Sequence, residues 1–239
     1  MEITARIFAK TDERTGRPLV DVILDAADQK GTGMWASQEA MSLQVPVPVV
    51  DCAVMMRNLS TLADQRRKAA ALLPGPEPAG RFPGRDFEAA LEEALYGAML
   101  LTYAQGMALL RSASDEYGFG LELDTVARIW RGGCIIRAGM LETLRTALRE
   151  NPDAPNLLMN RGFAEAAGRC EPALRTVLNA ALQSGLPAPA LAAAAAYLDA
   201  FRSPRLPADL IQAQRDYFGS HTYRRVDMDG VFHTQWESD

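Results

Sequence analysis

Apolar residues recur every three or four positions along most of the chain, which is the spacing of one face of an α-helix. The clearest example is Phe87–Tyr117, where Asp86 precedes the pattern and Gly118 ends it. A shorter helix is predicted between an N-cap at Asp124 and a stop at Gly132. Because no stretch alternates apolar and polar residues with period two, the pattern predicts an all-α protein. Breaks rich in proline and glycine delimit further predicted helices at 17–27, 49–72, 135–149, 162–184, 188–201 and 207–217.

The C-terminal segment 219–239 departs from this pattern. It holds Tyr223, Phe232, Trp236, both histidines of the chain and an Asp229-Gly230 turn signal, but no helical periodicity. A terminal segment of this kind buries little apolar surface alone. We therefore expect an extended tail that packs on the body of its own chain or across a partner.

Composition narrows the class of protein. The 239 residues are 48% hydrophobic and 23% charged, which is ordinary for a globular protein. A net charge of −5 argues against nucleic acid as a partner, because binding to phosphate backbones needs clustered Lys and Arg. The longest apolar run, Ala190–Leu198, is far shorter than the ~20 residues of a membrane span, and the N-terminus has no apolar signal region. A soluble protein with no membrane partner is expected.

The three cysteines, Cys52, Cys134 and Cys170, form no C-x-x-C pair. Their spacing favours neither a disulfide framework nor a thiolate metal site, so a cytoplasmic protein without a bound metal is predicted. No strand leads into a G-x-G-x-x-G turn and a helix, so no Rossmann unit for a dinucleotide is predicted either.

The strongest local signal for chemistry is Lys30-Gly31-Thr32-Gly33. Two glycines that flank a threonine allow backbone amides to turn toward an anion, while Lys30 adds a positive charge and Thr32 a hydroxyl. This is not a Walker loop, because the Gly-x-x-x-x-Gly-Lys-Ser/Thr frame is absent. Phosphate binding is one interpretation, and a turn between two helices with an incidental lysine is the other.

Two further features invite a functional interpretation. Arg57 lies among apolar residues, where an arginine usually extends its head group to the surface. The segment Leu210–Tyr223 is dense in polar and aromatic side chains. It also fits a final amphipathic helix in which Asp216 pairs locally and His221 is an ordinary surface residue.

Four blocks of the sequence resemble the C-terminal domain of 6-phosphogluconate dehydrogenase, the NADP-dependent decarboxylating enzyme of the pentose phosphate pathway. The blocks keep the family's order, and the resemblance runs from Glu2 to Trp236 with few gaps. They are Gln29–Gly33, Tyr103–Gly106, Trp130–Arg137 and Leu210–Tyr223.

The resemblance implies a helical domain at 1–218 that binds substrate and forms a homodimer, and a tail at 219–239 that packs on the partner subunit. It implies that Lys30, Thr32 and Arg57 hold the phosphate of 6-phosphogluconate or a related sugar phosphate. It also implies that Arg215 and His221 reach the substrate from the other subunit.

Several expected parts of the family enzyme have no counterpart in these residues. They are the N-terminal Rossmann domain that binds NADP and the Lys-x-x-His-Asn-Gly-x-Glu-Tyr stretch with the catalytic lysine and glutamate. We therefore expect no cofactor in this chain, no hydride transfer by the chain alone, and a role as the substrate-binding half, for which a separate Rossmann-domain chain is one candidate partner. Asp28, Met34 and Met99 also depart from the family, which has a small residue and two basic residues there.

Two alternatives to that role remain open at this point. One is a stand-alone enzyme that performs cofactor-free chemistry on another metabolite, with His221, Asp28 and Tyr223 as candidate acid–base groups. The other is a structural dimer that regulates a full-length relative by forming mixed dimers.

Overall fold

The structure is a computed structural model that describes residues 2–76, 84–133, 136 and 138–236. These residues contain no β-strand, only two isolated antiparallel bridges, Thr11 with Pro18 and Tyr223 with Phe232. The predicted all-α class is confirmed. Short 3₁₀ turns occupy Leu19–Val22 and Leu157–Met159. The α-helices are α1 Glu2–Ala9, α2 Thr32–Ser42, α3 Pro48–Ser60, α4 Ala63–Leu72, α5 Gly84–Tyr117, α6 Leu123–Arg131, α7 Leu141–Glu150, α8 Arg161–Gln183, α9 Pro189–Arg202 and α10 Ala208–Gly219.

Most of the predicted helices are present, but the one predicted at 17–27 is wrong. Only its 3₁₀ turn is helical, and α1 and α2 form on either side of it without having been predicted. The backbone N–H of Ala27 donates to the hydroxyl of Ser60, 2.9 Å away, instead of to a helical carbonyl. A tertiary hydrogen bond therefore replaces the local helical one.

The predicted helix 49–72 is two helices, because α3 ends at Ser60 and α4 begins at Ala63. The hydroxyls of Ser60 and Thr61 donate to the carbonyls of Arg57 and Asn58, at 2.7 and 2.8 Å. Such local side-chain hydrogen bonds satisfy the last carbonyls of a helix and compete with its continuation.

Two predictions around α6 and α7 also need correction. Glu122, not Asp124, stands at the N-cap of α6, and no side-chain cap bond forms there. Helix α7 begins at Leu141 rather than at the predicted residue 135, since residue 136 and residues 138–140 lie in turn or irregular structure. Residues 134, 135 and 137 of the Trp130–Arg137 block, as well as much of the predicted break at 74–83, lie outside the described residues.

The Asp124 carboxylate instead binds basic residues of α7. Arg145 Nε donates to it at 2.8 Å, and Arg149 Nε lies 3.3 Å from its other oxygen. The same Arg145 contacts Glu142, which also pairs with Arg131 of α6. An ionic network therefore joins α6 to α7. The hydrogen bond from Arg145 is the main reason that the pKa of Asp124 lies below its ordinary value of 3.8.

The chain divides into two compact units, one through Ala195 and one from Ala196 onward. The first unit is built around α5, whose inner face meets residues from α6, α7 and α8. The second consists of the end of α9, α10 and the segment after it. The core of the first unit contains the buried residues Leu100, Ala104, Met107, Leu123, Ala127, Met140, Leu144, Ala147, Leu148, Leu157, Phe163 and Ala166.

Helices α5 and α8 approach each other closely at Gly97. A Cβ atom added there would lie 2.5 Å from Cβ of Cys170 and 3.7 Å from its Sγ. Both residues are buried, and burial raises the pKa of the Cys170 thiol. A glycine is needed at position 97 because any side chain would force the two helices apart.

Candidate functional site

The Lys30-Gly31-Thr32-Gly33 loop lies at the start of α2. Gly31 is the N-cap residue with φ +93°, and Thr32 is the first residue of the helix. A positive φ of this size favours glycine, and a Cβ at position 31 would also contact the indole of Trp35 at 3.6 Å. The first amides of a helix have no helical acceptor and attract anions. The loop therefore places the Thr32 hydroxyl and the charge of Lys30 beside a helix N-terminus.

Side-chain contacts fix this loop against the C-terminal end of α3. Gln29 Nε2 donates to Oδ1 of Asn58 at 2.6 Å. Arg66 of α4 donates to the carboxylate of Asp25 at 2.9 Å and to the carbonyl of Ser60 at 3.1 Å. The residues just before Lys30 are therefore bonded to both ends of the junction between α3 and α4.

Arg57 stands in the last turn of α3, directly before Asn58. Gly33 packs against Val54 one turn earlier, where a Cβ at position 33 would lie 3.2 Å from Cγ2 of Val54. Arg57 is exposed, and its Nη1 donates to the carbonyl of Ala53 in its own helix, at 3.2 Å. Neither Lys30 nor Arg57 has an ion-pair partner among the described residues. The fold thus brings Lys30, Thr32 and Arg57 to one region and leaves both cations available for an anion.

A buried glutamine that the sequence analysis did not single out holds the other end of α3. Gln105 of α5 is fully buried, and its Oε1 accepts the backbone N–H of Val49 at 3.1 Å. Val49 lies in the first turn of α3, so Gln105 caps the helix that carries Arg57. The signal was the Tyr103–Gly106 block, which pointed to the family without indicating what Gln105 does.

Arg215 and His221 lie together in the second unit. Both side chains are exposed at a shallow concavity of about 360 Å³. Arg215 donates to Oε1 of Gln212 one turn earlier in α10, at 3.1 Å, and has no ion-pair partner in the part of the chain that is described. The concavity is lined by Ile211, Gln214, Arg215, Phe218, Gly219 and His221.

The turn that carries His221 has an unusual backbone. Ser220 and Thr222, on either side of His221, have φ of +50° and +63°, which non-glycine residues rarely adopt. The imidazole lies over Gly219, where a Cβ would come within 2.9 Å of Cδ2 and Nε2 of the ring. A strained turn of this kind persists only where its surroundings hold it.

Asp216 provides much of that support, and the sequence analysis assigned it only a local ion pair. Its carboxylate is fully buried. Oδ1 accepts the N–H of Thr222 at 2.9 Å and lies 2.9 Å from Nδ1 of His233. Oδ2 accepts the N–H of Thr234 at 3.0 Å and the indole N–H of Trp236 at 2.9 Å. One carboxylate therefore joins α10 to both arms of the tail, which also pair through Tyr223 and Phe232.

Burial alone would raise the pKa of the Asp216 carboxyl. The bonds from His233, Thr234, Trp236 and Thr222 outweigh burial and lower that pKa well below the ordinary value of 3.8. The carboxylate is consequently ionised near neutral pH, where both of its oxygens act as acceptors.

A larger cavity in the first unit, of about 1150 Å³, is mostly apolar and contains none of the five predicted site residues. Met99 lines it, together with residues of α1, α3, α5 and α6. Of the three departures from the family, Met99 therefore lies at this cavity, whereas the exposed Asp28 and Met34 flank the Lys30 loop.

The 6-phosphogluconate dehydrogenase C-terminal domain model matches residues 1–236. The chain belongs to this family. It is 46% identical over 237 residues to the NADP(+)-dependent, decarboxylating 6-phosphogluconate dehydrogenase of Bacillus subtilis, and 47% identical over 236 residues to the decarboxylating enzyme of Escherichia coli K12. Each match covers 99% of this chain and 50% of the relative, so the chain spans about half the length of these 6-phosphogluconate dehydrogenases.

A solved 6-phosphogluconate dehydrogenase, that of Plasmodium falciparum, has the same fold. Its TM-score is 0.93 at 41% identity, with 98% of this chain and 51% of that chain covered. That protein is described in its apo form, with its cofactor NADP+ and with its substrate 6-phosphogluconate. The resemblance seen in the sequence is confirmed, while the roles of the five site residues stay predictions.

The described residues include no strand, and so no strand–turn–helix unit of the Rossmann type. No group of three or more His, Cys, Asp and Glu side chains comes together there as a metal site. None of the described helices is long and apolar enough to cross a bilayer.

Proposed function

We propose that these residues form the substrate-binding and dimerisation half of a 6-phosphogluconate dehydrogenase. The observation that carries the proposal is the arrangement of Lys30, Thr32 and Arg57. Gln29, directly before the loop, is bonded to Asn58 at the end of α3. Lys30 of the loop and Arg57 of α3 both lack an ion-pair partner among the described residues. Family membership supplies the substrate class, a sugar acid with a terminal phosphate.

The proposed role of this region is to hold the phosphate group. Lys30 and Arg57 would donate charge-assisted hydrogen bonds to its oxygens, Thr32 a neutral one, and the first amides of α2 would add their partial positive charge. Hydrogen bonds to charged groups contribute roughly 1.5–3 kcal/mol each. Asp28 beside the loop opposes a dianion, so binding is expected to be weaker than with an uncharged residue at that position.

Dimerisation would complete the site, because the family brings the arginine and histidine of the last block from the other subunit. Arg215 and His221 fit such a role, since both face a shallow concavity and neither has an ion-pair partner among the described residues. The role proposed for these residues is limited to binding and orienting the sugar phosphate. Hydride transfer would need a nucleotide-binding half and its acid–base residues, which the family resemblance implies lie outside these residues.

Calorimetric titration of the chain with 6-phosphogluconate tests the proposal. Wild-type protein is expected to bind, and Arg57→Ala and Arg215→Ala are each expected to lose about tenfold or more in affinity through a lost charge-assisted bond. Arg161→Ala is the matched control, because Arg161 is an exposed helical arginine that pairs with Glu165 on α8. Sedimentation is expected to give twice the 26.0 kDa chain mass.

Equal affinities of wild type, Arg57→Ala and Arg215→Ala would contradict the site assignment. No binding by wild-type protein would contradict the proposed substrate. A monomer at the concentrations of the titration would contradict the dimer.

A further inference from the structure

We infer that Asp216 and Gln212 are positioning residues that hold His221 and Arg215 in their binding arrangement. The inference rests on the proposed function for the identity of the ligand. Its geometric part, the control of the His221 turn by α10, stands independently of that function.

Asp216 holds the turn through the amide of Thr222. This amide follows His221 directly, and its nitrogen lies 2.9 Å from Oδ1 of a fully buried carboxylate. The bond spans a stretch in which Ser220 and Thr222 both have positive φ. Without an acceptor at this place, the two residues are expected to return to more favourable backbone angles, which would move the imidazole.

Gln212 holds the same residue through its carbonyl, in the next peptide unit. Its Nε2 donates to the carbonyl of Thr222 at 2.6 Å, while its Oε1 accepts from Nη1 of Arg215 at 3.1 Å. A single amide group therefore contacts both the His221 turn and the Arg215 guanidinium.

Helical spacing explains why these residues act together. Positions 212, 215 and 216 are three and four residues apart, so they share one face of α10. Thr222 is fixed at its N–H by Asp216 and at its C=O by Gln212, and Arg215 is fixed by Gln212. The arrangement of the two binding residues is thus set by residues that do not line the concavity.

The geometric part can be tested without ligand. The chain has two histidines, so protein labelled with ¹³C at histidine gives two Cε1–Hε1 signals, and His221→Asn assigns them. Gln212→Met removes both of the Gln212 bonds at nearly constant side-chain volume, and Asp216→Asn replaces one acceptor oxygen by a donor. Both variants are expected to move the His221 signal.

Tyr223→Phe is the matched control. It removes the 2.6 Å bond between the Tyr223 and Thr234 hydroxyls and so perturbs the tail, while both contacts to Thr222 remain. The His221 signal of this variant is expected to stay at the wild-type position. A wild-type signal in Gln212→Met and Asp216→Asn would overturn the inference, as would an equal shift in Tyr223→Phe. If Asp216→Asn fails to fold, Gln212→Met decides the question alone.

The ligand part uses titration with 6-phosphogluconate. Gln212→Met is expected to bind about tenfold more weakly than wild type with an unchanged melting temperature, and Tyr223→Phe as tightly as wild type. Unchanged affinity in Gln212→Met, with wild-type protein binding normally, would overturn the positioning role. If wild-type protein does not bind, the proposed substrate fails, and the His221 signals still decide the geometric part.

Discussion

Replacing Gly97 by alanine is expected to destabilise the first unit, although alanine favours helices. The added Cβ would lie 2.5 Å from Cβ of Cys170, whereas carbon atoms in contact prefer about 3.5–4.0 Å. The atom that it meets is fixed to the α8 backbone and cannot rotate away. Helices α5 and α8 must therefore separate by about 1 Å at this point, and a gap of that size forfeits a quarter to a half of the dispersion energy of facing atoms.

The expected loss follows from two opposing contributions. Overpacking costs roughly 1–3 kcal/mol, and the upper end applies here because the contacted Cβ cannot move without the α8 backbone. The higher helix propensity of alanine offsets roughly 0.8–1 kcal/mol of that cost. The net result is a destabilisation of about 2 kcal/mol, which corresponds to a fall in Tm of roughly 4–8 °C in a unit of this size.

Urea and thermal unfolding followed by circular dichroism measure this change. Gly168→Ala is the control, because Gly168 lies in α8 with nothing within 4 Å of its added Cβ, and it is expected to raise stability. Adding Cys170→Gly to Gly97→Ala removes the colliding atom and is expected to cost less than the sum of the two changes. The reasoning fails if Gly97→Ala is as stable as wild type while Gly168→Ala behaves as expected.

Two further predictions concern pH and the loop. Because Arg145 and Arg149 hold the pKa of Asp124 below 3.8 in the folded state, the stabilisation is present above that pH and is lost as pH falls below it. Asp124→Asn is therefore expected to flatten the acid limb of unfolding curves recorded between about pH 5 and 2. Gly31→Ala places a side chain at φ +93°, which costs roughly 1–2 kcal/mol in backbone strain. The variant is expected to bind 6-phosphogluconate roughly tenfold more weakly in calorimetry. Gly16→Ala, at φ +70° in open space, carries similar strain and is expected to leave affinity unchanged.

Periodicity predicted those helices whose stability is decided by their own buried face. Helix α5 was predicted nearly to the residue, since its apolar stripe is long and Gly118 ends it with φ +65°. The segment 17–27 misled the prediction because Ala27 and Asp25 bond to residues of the α3–α4 junction. Contacts between positions tens of residues apart leave no local periodic signal.

The candidate site was only partly predictable for a similar reason. Residue type and spacing indicated Lys30 and Thr32 as candidate phosphate-binding residues. The family resemblance assigned binding roles to Arg57, Arg215 and His221 as well. Residues that position these groups are ordinary in sequence: a glutamine in α5, another in α10, and the aspartate that follows Arg215. Their importance depends on burial and on partners distant along the chain, which become visible only in three dimensions.

The length of α5 has a consequence for how this domain can change. At 1.5 Å per residue, its 34 residues extend about 50 Å. One side of α5 carries both Gly97, which packs against α8, and Gln105, which accepts a hydrogen bond from α3. Inserting or deleting a single residue between those two positions would turn one of them about 100° away from its neighbour. An insertion there would alter none of the predicted binding side chains, yet it would displace α3, whose last turn carries Arg57. Insertions are expected to be tolerated in the surface loops and not in α5.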